Sequence, residues 1–443
     1  MSFKNSLIQM RSQIAVILGL LSTGVLVFYL TDFSRFETLA IAEAPRAFEI
    51  PVSKDVPVAP WGNFNNSDAE VAEIAWEYFE NNLNPETGLV DSVSGFHFTT
   101  LWDTASYLLG LISAERLDII SEEEFHSRME KALKSLNKLP LYNGELPNKS
   151  YNTQTLKMTD YQNRDSDKGI GWSAIDIGRL FVPLNILIFD YPQYTDIIRE
   201  MLEKWDYTRL FSNGVLYGTT VTPAGEELNQ EGRLGYEEYV CKSFALMGFD
   251  VSKAYSYLDY TGFVDVSGVE VPVDVRLPAK FGAHTYTLSE PYIIDGLEFG
   301  WDYYSRELAW RVYEAQEARY LETGLVTAVT ETALDEDPYF VYNTVFGDST
   351  PWACVTSEGM RSDTWRTFST KAAFGWATLF KNTYGDLLKE KARSLQYAGG
   401  YKAGIYEVDG RVNNVQTCNT NGIILEAMHY RKFGPLMRVK GIR

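Results

Sequence analysis

Twelve segments with helical periodicity follow one another along the chain, and they alternate between two patterns of hydrophobicity. Six are amphipathic, with apolar residues on one face, as at Val71, Ala75, Tyr78 and Phe79. The other six are apolar or small on most faces, as in the LLGLISA stretch at 108–114, which is typical of a buried helix. The amphipathic segments lie near 68–83, 122–137, 193–207, 250–259, 301–321 and 385–397, and the apolar ones near 100–114, 171–189, 234–248, 289–299, 366–380 and 419–431.

Strict alternation of six outer and six inner helices predicts an all-α fold. The architecture expected over residues 62–443 is an (α/α)6 toroid, in which each helical hairpin buries its apolar face by stacking on its neighbours. The connections before the inner segments are much longer than those after them. Helix connections usually have about 2 to 8 residues, and longer ones are often functional. We therefore expect the functional site at the end where the inner helices begin.

A short motif recurs after the outer segments, in which a turn glycine precedes a few apolar residues. It reads ETGLV at 86–90 and again at 322–326, with looser copies at 143–146, 213–217 and 403–406. Each copy alone is compatible with a helix C-cap, since glycine accepts the left-handed conformation that such caps need. Five copies at corresponding places favour a structural repeat.

The N-terminal sixty residues predict a membrane-anchored chain. One lysine and one arginine precede an uncharged apolar run, which is near the lower length limit for a spanning helix. This pattern predicts a cytoplasmic segment at 1–13, a signal anchor at 14–30 and a proline-containing tether at 31–61. A cleaved signal peptide is the alternative, because Ala-Ile-Ala at 40–42 resembles a cleavage site. In both cases we expect the domain to face the periplasm or the cell exterior.

Acidic residues outnumber basic ones, and the formal net charge is −19. That balance argues against nucleic acid and polyanionic substrates, although a local basic pocket is compatible with it. The three cysteines and four histidines lack the spacing of a metal site or a catalytic triad, and the sequence has no phosphate-binding loop or dinucleotide fingerprint. We expect a monomer that uses neither a metal nor a cofactor.

Carboxylates and aromatic rings are what the chain has in abundance, with 59 Asp and Glu, 28 Tyr, 24 Phe and 10 Trp. Glycoside hydrolysis needs this combination: one carboxyl group protonates the leaving oxygen, and another activates water or attacks the sugar. Flat aromatic faces bind sugar rings by stacking. The composition therefore favours a protein that binds or cleaves glycans.

Acids at or just before the inner segments are expected to converge at one end of the toroid. They are Asp103, Asp165, Asp167, Glu231, Glu237, Glu238, Glu290, Asp348, Glu358 and Asp363. An acid at a helix N-terminus is also a favourable cap, so each of them has a purely structural alternative. Glu237 and Glu238 begin the third inner segment, and we expect one of them to face inward among tyrosines. Burial there would raise its pKa, as a general acid requires.

Aromatic and polar residues near these acids complete the predicted site. Rings in long loops are better placed to stack on sugars than rings inside helices, which usually belong to the core. The residues expected to bind substrate are Trp102, Asp103, Tyr151, Tyr161, Arg164, Trp172, Glu231, Tyr236, Trp352 and Trp365. For Asp165 and Asp167 the alternative is a self-contained salt-bridged loop with the neighbouring bases.

Four stretches resemble a known family. They are TTLWDTASYLLGLISA at 99–114, DKGIGWSAIDIGRL at 167–180, SEPYIIDGLE at 289–298 and NTNGIILEAMHY at 419–430, and they look like the bacterial domain of unknown function 3131. That domain is similar to glucoamylase-like (α/α)6 toroids and to glycoside hydrolase family 144, which includes endo-β-1,2-glucanases. The resemblance implies the same fold and a carbohydrate-active site. The Phe-Glu-Tyr segment of the family is best matched by residues 237–239, which implies a catalytic role for Glu238.

The leading hypothesis is an envelope-anchored glycoside hydrolase that acts on a neutral glucan, as an endo-β-1,2-glucanase does. Glu238 is the expected general acid, Asp165 or Asp167 the base, and Glu290 a further catalytic candidate. We expect inversion of configuration, since carboxylates on separate loops are more naturally about 6.5 to 9.5 Å apart, with water between them. Two alternatives stay open: a non-catalytic protein of glycan binding or envelope assembly, and a polysaccharide lyase, which would need a basic pocket for uronates.

Overall fold

The computed structural model describes residues 49–281 and 284–437. The predicted cytoplasmic segment at 1–13, the signal anchor at 14–30 and the first part of the tether at 31–61 lie outside these residues. Within the described part of the chain, no helix has both the length and the apolar character that crossing a membrane requires. Anchoring and localisation therefore stay predictions.

Thirteen α-helices lie in the described residues, and twelve of them form six consecutive outer–inner pairs. They are α1 (Asn66–Asn81), α2 (Leu101–Arg116), α3 (Glu122–Leu136), α4 (Ala174–Asp190), α5 (Thr195–Leu202), α6 (Tyr236–Leu246), α7 (Tyr257–Tyr260), α8 (Pro278–Phe281), α9 (Glu290–Phe299), α10 (Tyr303–Thr323), α11 (Thr370–Leu379), α12 (Thr383–Arg393) and α13 (Cys418–Phe433). The four-residue helix α8 lies outside this pairing. Three 3₁₀ turns add Pro192–Tyr194, Tyr207–Arg209 and Asp363–Trp365.

The inner helices α2, α4, α6, α9, α11 and α13 close into a ring. Each packs against the next one along the chain, and α13 packs against α2 and also against the outer helix α1. Apolar side chains of the inner and outer helices form one continuous core. Ring closure through α13 and α2 confirms the predicted (α/α)6 toroid.

One outer helix is much shorter than predicted. Of the segment near 250–259, only its last residues are helical, in α7. The side chain of Asp250 accepts hydrogen bonds from the backbone N–H and the hydroxyl of Ser252, at 3.1 and 2.8 Å. Such local side-chain bonds compete with helix formation. The periodicity of Val251, Ala254 and Tyr257 is nevertheless that of a buried face, since all three are in the core.

The all-α prediction is wrong about the loops, which contain nineteen short strands within the described residues. They form eight antiparallel sheets of two or three strands each. The strands are β1 (Phe98–Thr100), β2 (Leu141–Tyr142), β3 (Leu146–Pro147), β4 (Ser150–Asn152), β5 (Phe211–Ser212), β6 (Val215–Thr222), β7 (Gly225–Gln230), β8 (Thr261–Val266), β9 (Val269–Asp274), β10 (Glu331–Ala333), β11 (Phe340–Asn343), β12 (Phe346–Gly347), β13 (Thr350–Pro351), β14 (Cys354–Thr356), β15 (Thr367–Ser369), β16 (Gln396–Tyr397), β17 (Gly400–Tyr401), β18 (Gly404–Tyr406) and β19 (Val412–Asn413).

The recurring turn glycine marks hairpins as well as helix ends. Tyr142 pairs with Leu146 across the turn between β2 and β3, and Leu83 forms a bridge with Val90. Gly324, by contrast, is a left-handed C-cap of α10, with φ of 73°. Strands of two or three residues are too short for an alternating pattern to reveal them.

Hydroxyl side chains begin four of the six inner helices. Thr100, Ser173, Ser369 and Thr417 are the N-caps of α2, α4, α11 and α13, and each accepts a hydrogen bond from the backbone N–H three residues later. We call the end of the ring at which the inner helices begin the mouth.

Candidate active site

Glu290, the first residue of α9, is the most densely hydrogen-bonded carboxylate at the mouth. Its Oε1 accepts hydrogen bonds from Trp102 Nε1 at 3.1 Å and from Asn419 Nδ2 at 3.0 Å. Its Oε2 accepts a charge-assisted hydrogen bond from the ammonium group of Lys371, which is itself buried. The four residues come from α9, α2, α13 and α11, so this cluster joins four inner helices.

Glu331 in β10 lies beside this cluster and is connected to it. Its carboxylate accepts hydrogen bonds from the hydroxyl groups of Tyr236 and Thr330, the second at 2.5 Å. Thr330 in turn accepts a hydrogen bond from the backbone N–H of Glu290 at 3.1 Å. The ring of Tyr236 meets the ring of Trp102 edge to face, with centroids 5.4 Å apart. Burial raises the pKa of Glu331 above its usual value of 4.5.

Asp176, three residues after the N-cap of α4, has the pKa of a group that exchanges protons near neutrality. Burial, then the nearby carboxylates of Glu231 and Asp103, raise its pKa to about 7, while Lys149 opposes this shift. Its side chain is nonetheless partly exposed at the mouth. It can therefore both hold a proton and deliver it to a ligand.

Two tyrosines interact electrostatically with Asp176. Tyr161 is 57% exposed and interacts electrostatically with both Asp176 and Glu231. Tyr342 in β11 interacts with both Asp176 and Glu331. Tyr161 is carried on a turn in which Asp160 Oδ1 accepts backbone hydrogen bonds at 2.9 and 3.0 Å. Both titratable carboxylates thus interact with at least one tyrosine.

Glu231 fixes the start of α4. Its Oε2 accepts hydrogen bonds from the backbone N–H groups of Ala174 at 2.5 Å and Ile175 at 3.4 Å. A Cβ at Gly218 would lie 2.6 Å from the Glu231 carboxyl carbon, so only glycine leaves room for this arrangement. Burial raises the pKa of Glu231, against the effect of Lys149 and these donors.

Asp103 forms part of the wall of the mouth. Its Oδ2 accepts hydrogen bonds from the hydroxyl groups of Ser92 at 2.7 Å and Thr100 at 2.8 Å. Burial raises its pKa, and those two hydroxyl groups act in the opposite direction. Since both hydroxyl groups donate to the same oxygen, the loop before α2 holds the Asp103 side chain in place.

A buried charge cluster lies beneath the mouth. The guanidinium of Arg179, fully buried in α4, donates to Glu298 Oε1 at 2.7 Å and to the Tyr239 hydroxyl at 2.6 Å, and lies 3.5 Å from Glu426 Oε1. Burial raises the pKa of both glutamates, most strongly that of Glu426. One guanidinium is therefore the shared cation of two buried carboxyl groups, and burial disfavours the ionised form of each.

Six of the predicted site residues come together at the mouth, namely Trp102, Asp103, Tyr161, Glu231, Tyr236 and Glu290. Sequence reasoning placed them there through their position before or within the first turn of an inner helix, or in the long loop at 142–170. That signal is geometric, because it depends only on which end of the ring the residue occupies.

Glu238 does not reach the mouth. It is fully buried, with Oε2 accepting a hydrogen bond from the backbone N–H of Gly235 at 2.6 Å in a capping box of α6. Burial and then the neighbouring Glu237 raise its pKa to about 8. Its charge acts on Tyr257 of the outer helix α7 and on Tyr292 of α9. The expected raised pKa is therefore present, but the carboxyl group of Glu238 is buried in the packing between helices.

The charged loop at 164–167 is an exposed surface whose ion pairs join it to residues of the preceding turn. Lys157 Nζ lies 2.6 Å from Asp165 Oδ2, and Arg164 Nη2 lies 2.6 Å from Asp160 Oδ2. Asp165, Asp167 and Arg164 are all exposed. None of them contacts the carboxylates of the mouth.

Of four other predicted platform residues, Trp172 and Tyr151 are buried, whereas Trp352 and Trp365 are half-buried. Trp172 is fully buried, and Tyr151 is 1% exposed with its hydroxyl bonded to backbone groups of the same loop. The guanidinium of Arg319 lies 4.8 Å over the ring of Trp352, and Trp365 meets Tyr406 edge to face at 5.6 Å. Trp365 packs against a small core of the loops, and the other three rings pack in or against the main core.

Sequence reasoning missed four residues of the mouth. Asp176 has the same spacing from Ser173 as Asp103 has from Thr100, so the N-cap repeat contained a signal for it. Lys371 and Asn419 likewise both stand two residues after an N-cap hydroxyl. Glu331 had no such signal, because it lies in a three-residue strand of a loop.

Comparison with known proteins agrees with this architecture. The model of a family described as Protein of unknown function (DUF3131) matches residues 70–434. No curated protein matches the chain.

Solved structures that share the fold include two glucanases and a glucoamylase. The endo-β-1,2-glucanase of Chitinophaga pinensis, in complex with sophorotriose and glucose, has a TM-score of 0.58 at 12% identity, over 83% of this chain and 93% of that one. The endo-β-1,2-glucanase of Talaromyces funiculosus with sophorose has a TM-score of 0.57 at 12% identity, over 84% of each chain. The glucoamylase of Saccharomycopsis fibuligera has a TM-score of 0.51 at 12% identity, over 86% and 98%. At such identities the likeness shows a common toroid.

Proposed function

This chain belongs to the DUF3131 family, and on that premise we propose that it is a glycoside hydrolase that cleaves a neutral glucan at the mouth of the toroid. The observation that carries the proposal is that Asp176 and Glu331 both interact electrostatically with Tyr342, and that both carboxyl pKa values are raised. Two carboxyl groups next to aromatic rings are what hydrolysis of a glycosidic bond requires.

Asp176 is the proposed general acid. Its pKa of about 7 keeps much of it protonated at neutral pH, and its side chain is partly exposed to a ligand. The proton passes to the glycosidic oxygen as the bond to the leaving sugar breaks. Glu231 assists by keeping negative charge nearby, since that charge disfavours ionisation of Asp176.

Glu331 is the proposed base that activates water. The hydroxyl groups of Tyr236 and Thr330 donate to its two oxygens and orient the carboxylate. Glu290 is less suited to this step, because its oxygens already accept bonds from Trp102, Asn419 and Lys371. We propose that Glu290 orders the floor of the mouth, and that the reaction inverts the anomeric configuration.

The proposed substrate is a β-1,2-linked glucan. Two neighbours in fold are named as endo-β-1,2-glucanases and hold sophorotriose or sophorose. The acidic mouth suits a neutral sugar, and exposed Tyr161 offers a ring on which a sugar can stack. We further propose, from the apolar run at 14–30, that the enzyme is anchored in a membrane and acts in the cell envelope.

The test is hydrolysis of a panel of neutral glucans, including linear β-1,2-glucan, by the purified full-length protein, with products identified by mass spectrometry. Asp176→Asn should abolish product formation, whereas Asp167→Asn, a matched change at an exposed loop position, should not. Proton NMR of the first product then reports inversion or retention. Binding of a glucan without any cleavage would instead support the non-catalytic alternative.

A further inference from the structure

A second cavity lies outside the carboxylate cluster, between the β6–β7 hairpin and the segment at 276–281. It has a volume of about 630 Å³, within the usual size range of small-molecule sites. Tyr217 and Gln230 line it from the hairpin, and Tyr260, Arg276 and Phe281 from the opposite side. The residue after Gln230 is Glu231, which caps α4 at the mouth, so the hairpin borders both spaces.

The charge of this cavity is opposite to that of the mouth. Lys253 and Lys280 both line it, both are exposed, and within the described residues neither ammonium group has a carboxylate partner. The third cation of the lining, Arg276, is by contrast ion-paired with Glu237 and Asp274. Two unpaired ammonium groups on one cavity favour an anionic ligand by their local positive potential.

Arg276 gives the cavity a rigid wall. Its guanidinium lies 3.8 Å over the ring of Tyr260 and is bonded to Asp274 and Glu237. These bonds use three of its five N–H donors and leave two for a ligand. The hydroxyl groups of Tyr217 and Tyr260 make no hydrogen bond to a side chain in the described residues, so they too can donate. Asp259, next to Tyr260, accepts a hydrogen bond from Ser256 at 2.7 Å.

We propose that this cavity binds a saccharide that carries a small anionic group, a phosphate or a carboxylate. Lys253 and Lys280 hold the anion, and the rings of Tyr217, Tyr260 and Phe281 contact the sugar. The site is independent of the proposed hydrolysis, because none of its residues belongs to the carboxylate cluster of the mouth. It would let an acidic protein accept a charged sugar at one place while its mouth takes neutral ones.

The experiment is calorimetric titration of the full-length protein with glucose 6-phosphate, glucuronate, inorganic phosphate and glucose. Glucose 6-phosphate or glucuronate should bind at least about tenfold more tightly than glucose, and binding should weaken as salt is added. Tighter binding of the sugar phosphate than of inorganic phosphate identifies the saccharide as part of the ligand. Equal binding of glucose and the anionic sugars would overturn the proposal.

Variants locate the site. The double variant Lys253→Gln/Lys280→Gln should lose roughly tenfold or more in affinity, since bonds to charged groups are strong. Lys138→Gln is the matched control and should bind as the parent does, because Lys138 is an exposed lysine just after α3 that has no ion-pair partner among the described residues. Asp176→Asn should also keep the affinity, because it alters only the mouth. An unchanged double variant, or an equal loss in Lys138→Gln, would disprove the assignment.

Discussion

The guanidinium of Arg179 lies 4.7 Å from the centroid of the Trp102 ring, and this contact joins the buried charge cluster to the mouth. Trp102 in turn donates its indole N–H to Glu290. A second connection passes through the Ser106 hydroxyl. Its oxygen accepts one hydrogen bond from Arg179 Nη2 and one from Asn419 Nδ2, both at 3.3 Å. Both routes end at the same carboxylate oxygen of Glu290, so Arg179 is positioned to order it.

We expect Arg179→Met to destabilise the fold strongly. It leaves Glu298 and Glu426 buried without their cation, and removing one partner of a buried ion pair costs about 3 to 5 kcal/mol. Denaturation in urea should therefore show a lower free energy of unfolding. Adding Glu298→Gln to the variant removes one uncompensated charge and should restore part of that loss. A parent-like stability of Arg179→Met would contradict the role of this cluster.

The toroid was predictable because its signal is spread over many residues. Leu108, Leu111 and Ile112 of α2 are all buried, as the apolar character of the segment predicts, and the same holds for the other inner helices. The loop sheets were not predictable, since two residues such as Leu141 and Tyr142 carry no period. Their strand pairing depends on partners elsewhere in the fold.

The activity of the proposed hydrolase should fall at both high and low pH. Asp176 acts in its protonated form, so kcat/KM should decline above a pH of about 7, the pKa of its carboxyl group. Glu331 acts as a carboxylate, so activity should also decline when acid protonates it, at a pH above the usual value for glutamate because its pKa is raised. A pH–rate profile on the best glucan measures both declines, which are its alkaline and acidic limbs.

Glu231→Gln tests which group causes the alkaline limb. The negative charge of Glu231 raises the pKa of Asp176, so its removal should move that limb to lower pH. The amide oxygen of glutamine can still accept the backbone hydrogen bonds at the start of α4. Glu226→Gln, on the same hairpin but bonded to Tyr142 and Arg209, is the control and should leave the limb in place. A limb that does not move in Glu231→Gln would assign it to another group.

Glu331→Gln should lower kcat by roughly 10²- to 10⁴-fold, the usual contribution of acid–base catalysis. The amide keeps the size of the side chain and can still accept from Tyr236 or Thr330, so substrate binding should change little. Separate kcat and KM values from initial rates check this. Glu336→Gln, five residues along in an exposed pair with Arg411, should behave as the parent does. A raised KM with unchanged kcat would make Glu331 a binding residue.

The candidate site was only partly predictable, for a reason that Glu238 illustrates. Adjacent acids at the start of an inner helix suggested one group with a raised pKa, and the structure contains such a group. Sequence alone fixed neither the rotation of α6 nor the side chain that occupies its N-terminal turn. Asp176 lay in an equally strong position, but it could be recognised only once Glu231 and Asp103 were known to surround it.

We expect Glu238→Gln to keep the hydrolytic activity and to stabilise the protein in alkaline solution. The pKa of this carboxyl is about 8 in the folded chain and about 4.5 when unfolded. Because the folded value is the higher one, its contribution to stability is complete below about pH 4.5 and is lost as the pH rises through about 8. Glutamine stays neutral throughout and can accept the same hydrogen bond from Gly235. Melting temperatures of the two proteins should therefore diverge as the pH rises from about 4.5 to about 8, with the variant more stable. Loss of activity in a folded Glu238→Gln variant would instead identify Glu238 as the general acid, as the family resemblance implies.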